Sequence, residues 1–405
     1  MLLEMYGLVL EGGGAKGSYH MGVYKALIES GVEIKGVVGT SIGALNGAMI
    51  VQNDCDRCYE LWNEITYSMV VDVDDDEIDK IMQLKLSKED LSFLKEKIKS
   101  LLTTKGFDIT PLKKLLDEYV DEEKIRKSGM DFGMVTIDLS PFKPLYMFLE
   151  DIPKGELKKY LMASAYLPFF KAERLGGKLY LDGGFYDNLP FKMLMDKGYK
   201  DLILVRTHAM GYTKKLDLKD TNSIVISPSD SIGRSFEYDS NRARANIELG
   251  YYDGLRALNG LSGHKYYIAP EKDQDYYLNF LLNIDEKDVR KMEEILKFPE
   301  IPYRRSLLEN IIPKICSMLS VDKNCTYEEL LIYLLEKKAE SLKVERFKIY
   351  TFEELLSQVE DKNIVKEKEE VGKLDKIIEK VDILPIINKD EALLEVSDII
   401  FSKRK

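Results

Sequence analysis

The sequence predicts an α/β fold built on a largely parallel central sheet, followed by an α-helical C-terminal region. Three observations carry that expectation. In the N-terminal half, short β-rich runs alternate with helical patterns, the signature of strand-helix-strand units. Glycine-rich turns at Gly12 to Gly14, Gly39 to Gly43 and Gly183 to Gly184 each follow a β-rich run directly. From about Gln274 the β-rich runs vanish, and charged, Leu-rich helical windows continue to Lys405.

Taken in order, Tyr6 to Leu10 reads as a strand, Ser18 to Ser30 as a helix, Ile34 to Val38 as a second strand and Ile42 to Gln52 as a second helix. Further strands are expected at Phe132 to Ile137, Leu145 to Phe148, Lys178 to Leu181, Leu202 to Arg206 and Ser223 to Ile226. Residues 53–116 are polar and helical and read as an insertion beside the sheet, a candidate lid. Ser240 to Leu258 is an amphipathic helix that closes the first domain. The expected domains are therefore 1–272 and a helical 273–405. In the second, Thr326 with Glu329 and Thr351 with Glu354 fit the capping box that starts a helix, and Pro313 should kink or end the helix of Ile301 to Leu319. The echo of Thr326-Tyr-Glu-Glu-Leu-Leu in Thr351-Phe-Glu-Glu-Leu-Leu reads as coincidence rather than as a repeat.

Composition narrows the function. A chain of 405 residues with 45% hydrophobic and 32% charged residues has ample core material, which excludes disorder and collagen-like repetition. A net charge of -11 argues against a grip on nucleic acid, whose phosphates demand a basic face, but leaves contact with a lipid surface open. Four cysteines do not make a disulfide framework, and Met1 to Glu11 has no basic stretch followed by a secretory apolar segment, so a cytoplasmic setting is expected. Apolar runs such as Leu330 to Leu335 fall far short of the ~18–20 residues that span a bilayer. Peripheral membrane contact is the most this pattern allows.

The first chemical motif is Gly39-Thr40-Ser41-Ile42-Gly43, a G-x-S-x-G between a β-rich and an apolar helical run. A nucleophile on so sharp a turn sits in strained backbone, so small residues two before and two after it relieve clashes, and the following helix aims its N-terminal amides at the reaction. The second is Glu11-Gly12-Gly13-Gly14-Ala15-Lys16-Gly17, whose glycines let backbone N–H groups converge as a nest for an anion or an oxyanion. Gly12, Gly14 and Gly17 also satisfy G-x-G-x-x-G, so a nucleotide-binding oxidoreductase is an alternative. That reading lacks its acidic residue at the end of the second strand, where Thr40 and Ser41 stand instead. A phosphate loop of the nucleotide-hydrolase type is excluded by Ser18 where lysine is needed. The third motif, Asp182-Gly183-Gly184, places a carboxylate on an open turn.

The base is left open by the residues alone. Of the three histidines, only His208 follows a strand, so a Ser-His-Asp triad through it stands beside a dyad in which Asp182 takes the Ser41 proton directly. Cys55-Asp-Arg-Cys58 reads as helix packing, with Cys316 and Cys325 too remote to complete a zinc set. The acidic run from Asp72 to Asp76 fails as a calcium loop because Glu77 stands where glycine is required.

Together the glycine loop, the Ser41 elbow, Ala163-Ser164-Ala165 with Pro168 and Phe170, and Asp182-Gly183-Gly184 resemble, in order and spacing, the patatin-like phospholipases, over roughly Tyr6 to Pro190. The resemblance, to the bacterial type of that family, implies a three-layer α/β domain and a lipid acyl hydrolase of the phospholipase A or general esterase kind. It implies Ser41 as nucleophile, Asp182 as general base and the amides of Gly12, Gly13, Gly14 and Ile42 as oxyanion hole. Lys16, Gly17, Gly39, Gly43, Gly183 and Gly184 would support them. It calls for no cofactor and no metal. The chain departs from the family by Glu11 where Asp is common and Lys16 where Arg is usual, which keeps the charge but loses the planar fork. A catalytically silent lipid-binding scaffold on the same fold is the remaining alternative, and no partner for the C-terminal region is marked.

Overall fold

The computed structural model describes residues 5–72, 106–321, 325–374 and 389–402. The chain forms two compact units, Met1–Leu258 and Asn259–Lys405. The division falls before the expected 272/273 boundary because Tyr267–Ile268 pairs with Ile349–Tyr350 inside the second unit.

The first unit is built on seven strands, β1 (Met5–Leu10), β2 (Glu33–Thr40), β3 (Asp131–Asp138), β4 (Lys143–Phe148), β5 (Tyr180–Asp182), β6 (Asp201–Val205) and β7 (Asn222–Ile226). Their order is β4-β3-β2-β1-β6-β7. The four pairings from β3 through β2, β1 and β6 to β7 are all parallel, while β4 and β5 run antiparallel to β3. Each expected strand is present. The helices of this unit among the described residues are α1 (Ser18–Glu29), α2 (Ile42–Val51), α3 (Cys55–Glu64), α4 (Thr110–Tyr119), α5 (Glu122–Lys127), α6 (Leu157–Ser164), α7 (Phe191–Asp196) and α8 (Ser240–Asn259).

A parallel sheet must be covered on both faces, and alternation along the strands shows how. Val9, Val38, Val135, Leu202 and Leu204 point to one face and pack with Phe191, Met193 and Leu194 around α7. Val37 and Phe132 point to the other, where α2 lies so close that a Cβ on Gly47 would meet both at 3.1 Å. The result is a helix-sheet-helix sandwich of three layers. Helix α8 packs on α1 where Gly22 and Gly250 bring the two backbones together, since a Cβ at either would overlap a carbonyl of the other helix.

One register decides where the functional residues meet. Strand β2 pairs with β3 only as far as Thr40 opposite Val135. Strand β5 then takes over the same edge of β3 from the other direction, with Asp182 opposite Thr136. The C-terminal ends of β2 and β5 therefore abut against adjacent residues of β3.

Among the described residues the second unit is mainly helical, with helices Gln274–Leu282, Glu286–Leu296, Tyr327–Ser341, Phe352–Leu374 and Lys389–Ile400. Both expected capping boxes form: Thr326 and Glu329 exchange bonds at 2.8 and 3.1 Å, as do Thr351 and Glu354. Pro313 sits in the first turn of Ile312–Leu319, directly after a π-helical turn over Leu307–Ile311 that accommodates its missing N–H.

Candidate active site

The Ser41 elbow is a strained turn of the expected kind. Ser41 follows β2 with φ 56° and ψ -125°, a conformation that costs a non-glycine residue energy and persists only when its surroundings fix it. The two flanking glycines explain how. A Cβ on Gly39 would overlap the backbone of Gly43, and a Cβ on Gly43 would overlap the carbonyl of Leu10. The Ser41 amide donates to Ser164 Oγ at 3.0 Å, and Ser164 Oγ donates to the Val135 carbonyl at 2.7 Å, which braces the turn against β3.

Asp182 reaches the same point from β5. Its side chain is 3% exposed and that of Ser41 only slightly more so. The carboxylate accepts from the Gly184 amide at 2.7 Å, and the Ser41 hydroxyl stands close enough to lower its pKa. Burial pushes that pKa up to about 6, with Ser41 and the Gly184 amide pulling the other way. Gly183 is required because its Cβ would overlap the Val135 carbonyl. A buried carboxylate whose pKa lies just below neutrality, beside a hydroxyl on a strained turn, is an arrangement that can do acid–base chemistry.

The glycine loop completes the site, with one correction. The Gly12 amide donates to the Asn188 carbonyl at 3.0 Å, so it is not an oxyanion donor. Among the described residues the Gly13 and Gly14 amides have no acceptor. Gly14 adopts φ +57° and could carry no Cβ, which would overlap the Ser235 carbonyl. Ile42 supplies the first amide of α2, which has no intrahelical acceptor. Glu11 anchors the loop. Its buried carboxylate takes the Arg206 guanidinium through Nε and Nη2 at 3.1 Å each, and the Thr207 and His208 amides at 2.6 and 3.0 Å. Lys16 Nζ caps the Thr207 and His208 carbonyls at 3.3 Å, and burial lowers its pKa against the raising effect of Glu11. Gly17 packs on α2, where its carbonyl accepts from Asn46 at 2.8 Å.

The triad alternative finds no support in this geometry. His208 is exposed, with its amide tied to Glu11, whereas the Asp182 carboxylate accepts from the Gly184 amide and sits beside Ser41. His20 is fully buried in α1, which depresses its pKa to about 3. The dinucleotide alternative meets a similar obstacle, because the Gly12, Ala15 and Lys16 amides bond to Asn188, Ser235 and Gly13 rather than facing a ligand. Cys55 and Cys58 are free thiols, and Cys58 is buried beside Asn46. Among the described residues no group of three or more His, Cys, Asp or Glu is placed to hold a metal.

An apolar cavity opens from Ser41. Helix α2 lines it with Ile42, Leu45, Asn46 and Met49, one helical stripe at spacings of three and four. Helix α4 presents Leu112, Leu115, Leu116 and Tyr119 at the same spacing, and α3 adds Cys58, Leu61 and Trp62. The polar atoms of Asn46 are consumed within the wall, between the Gly17 carbonyl and the Trp62 indole, which donates at 3.2 Å. The α3 wall and most of the α4 wall come from the flanks of the expected insertion. Residues 73–105, on which the lid reading mainly rests, and most of the acidic run lie outside the described residues. Sequence reasoning missed the bracing role of Ser164, legible only as a small residue in Ala163-Ser164-Ala165, and the anchoring role of Glu11.

Residues 8–195 match the family model described as patatin-like phospholipase. Patatin-like phospholipase domain-containing protein 6 of Mus musculus is 29% identical over 203 residues, 49% of this chain and 13% of that protein. Lysophospholipase nte1 of Aspergillus terreus is 55% identical over 47 residues, 12% of this chain and 3% of that protein. The chain thus spans a small fraction of these relatives. The crystal structure of VipD from Legionella pneumophila aligns with 98% of this chain and 92% of its own at 14% identity and a TM-score of 0.40.

Proposed function

We propose that this chain, whose residues 8–195 match the patatin-like phospholipase family model, hydrolyses carboxylic esters of lipids with Ser41 as nucleophile and Asp182 as general base. The observation that carries this reading is the juxtaposition of a buried carboxylate with the hydroxyl of a strained elbow that lines an apolar cavity.

The step is an acyl transfer in two halves. As Ser41 Oγ attacks the ester carbonyl carbon, its proton passes to Asp182, and the carbonyl π electrons become an oxyanion held by the Gly13, Gly14 and Ile42 amides. Collapse of the tetrahedral intermediate breaks the ester C–O bond, and the departing alkoxide takes the proton from Asp182. Water then attacks the acyl-enzyme, again giving its proton to Asp182, which returns it to Ser41 as the fatty acid leaves. A carboxylate is a weak base for a hydroxyl, so the amides and the α2 N-terminus supply much of the barrier reduction. Each methylene of an acyl chain buried in the cavity contributes about 0.8 kcal/mol to binding.

Lipid substrates fit both the cavity and the family. The lysophospholipase name of one relative points to phospholipid esters among them. Peripheral contact with a lipid surface belongs to the same reading. Among the described residues no helix is long and apolar enough to cross a membrane. Four unpaired cysteines fit a reducing, cytoplasmic setting.

Turnover of a short-chain ester and of lysophospholipid vesicles tests the proposal. Ser41→Ala and Asp182→Asn should each lower kcat/KM by ~10³-fold or more while retaining the wild-type circular dichroism spectrum, and His208→Ala should keep near wild-type turnover. Retained turnover in Asp182→Asn with loss in His208→Ala would replace the dyad by the triad.

A further inference from the structure

Beyond the stretch that matches the family, residues 234–239 fold onto the glycine loop, where the Ala15 amide donates to the Ser235 carbonyl at 2.8 Å. This segment brings Tyr238 into the wall of the cavity that holds Ser41, Gly14 and Ile42. Its hydroxyl lies 3.4 Å from where a Cβ on Gly14 would stand, which places it beside one of the two unengaged amides of the loop. Among the described residues that hydroxyl has no hydrogen-bond partner. A phenol in the wall of an apolar cavity, with no acceptor of its own, is a donor waiting for one.

The ring is held firmly. Tyr238 stands edge-on to Tyr67 with ring centroids 5.9 Å apart, and the neighbouring Phe236 packs edge-on against Phe169 at 4.8 Å. Such a donor meets the requirement for transition-state stabilisation, that it be fixed before charge develops.

Resting on the acyl-transfer reading above, we propose that Tyr238 is a further catalytic residue, whose hydroxyl donates a hydrogen bond to the oxyanion formed when Ser41 attacks the ester and so supplements the Gly13, Gly14 and Ile42 amides. Burial, with the nearby Asp182 charge adding to it, raises the phenol pKa, so the hydroxyl remains protonated and able to donate over the working pH range. No proton changes hands at Tyr238. The bond forms as the carbonyl oxygen gains charge and is released when the tetrahedral intermediate collapses.

Tyr238→Phe removes the hydroxyl and keeps the ring contacts. With a soluble short-chain ester, kcat should fall by ~10²-fold, the loss typical of one oxyanion donor, with KM and melting temperature close to wild type. A variant with wild-type kcat, or one that raises KM at unchanged kcat, would overturn the assignment, because the hydroxyl would then be idle or a ground-state contact only. Ser41→Ala measured alongside separates the two claims. Wild-type turnover no greater than that of Ser41→Ala defeats the hydrolase reading and the Tyr238 role with it. A large Ser41→Ala effect beside a silent Tyr238→Phe defeats the Tyr238 role alone.

Discussion

Asp182 carries two opposed influences, and its position between them sets the pH behaviour of the site. Burial favours the neutral acid, while the Ser41 and Gly184 donors favour the carboxylate, leaving the group titrating near pH 6. The proposed general-base role needs the carboxylate form, so kcat/KM should rise from the acid side with a midpoint near 6 and level off above it. Stability moves the other way. Between the unfolded pKa of ~3.9 and the folded value near 6, the native state holds a proton that the unfolded chain has released, so stability falls as pH rises through that window. At neutral pH the charged carboxylate destabilises the fold by on the order of 3 kcal/mol. Asp182→Asn should therefore melt several degrees higher than wild type at pH 8, and the difference should shrink toward pH 4. Differential scanning calorimetry across that range checks it, and equal melting temperatures at pH 8 would show that the carboxylate is not under burial strain. Such a cost at a functional position is a common trade between activity and stability.

At the scale of elements, the turn chemistry was legible in the sequence because it is local. Gly39 and Gly43 read as clash relief around a strained serine, and the two backbones do approach at those residues. The capping boxes at Thr326 and Thr351 were legible for the same reason. What was not legible is long-range. That β2 and β5 share one edge of β3, bringing Thr40 and Asp182 to adjacent partners Val135 and Thr136, follows from pairing across widely separated residues. Gly12 looked equivalent to its neighbours until the Asn188 carbonyl, distant in sequence, engaged its amide. The two-residue strands Tyr267–Ile268 and Ile349–Tyr350 are too short for any periodicity to mark. Helix α4 offers a test of its own, since its stripe of Leu112, Leu115, Leu116 and Tyr119 faces the cavity. Leu116→Trp should lower kcat/KM for long-chain esters by about fourfold per excluded methylene while sparing butyryl esters. An equal loss for both chain lengths would mean that the acyl chain lies elsewhere.

For the whole molecule, the first unit holds both the family match and the site, whereas the second has its own core around residues such as Tyr277, Leu331 and Val396. The net charge of -11 and the apolar cavity suit an uncharged ester portion of a lipid better than a polyanion. The proposed mechanism activates one serine among those of the whole chain through one buried carboxylate. A fluorophosphonate probe followed by intact mass and peptide mapping tests it most directly. A single adduct on Ser41 is expected, formed far more slowly in Asp182→Asn. An adduct confined to another residue, or one formed on Ser41 at the same rate without the Asp182 carboxylate, would contradict it.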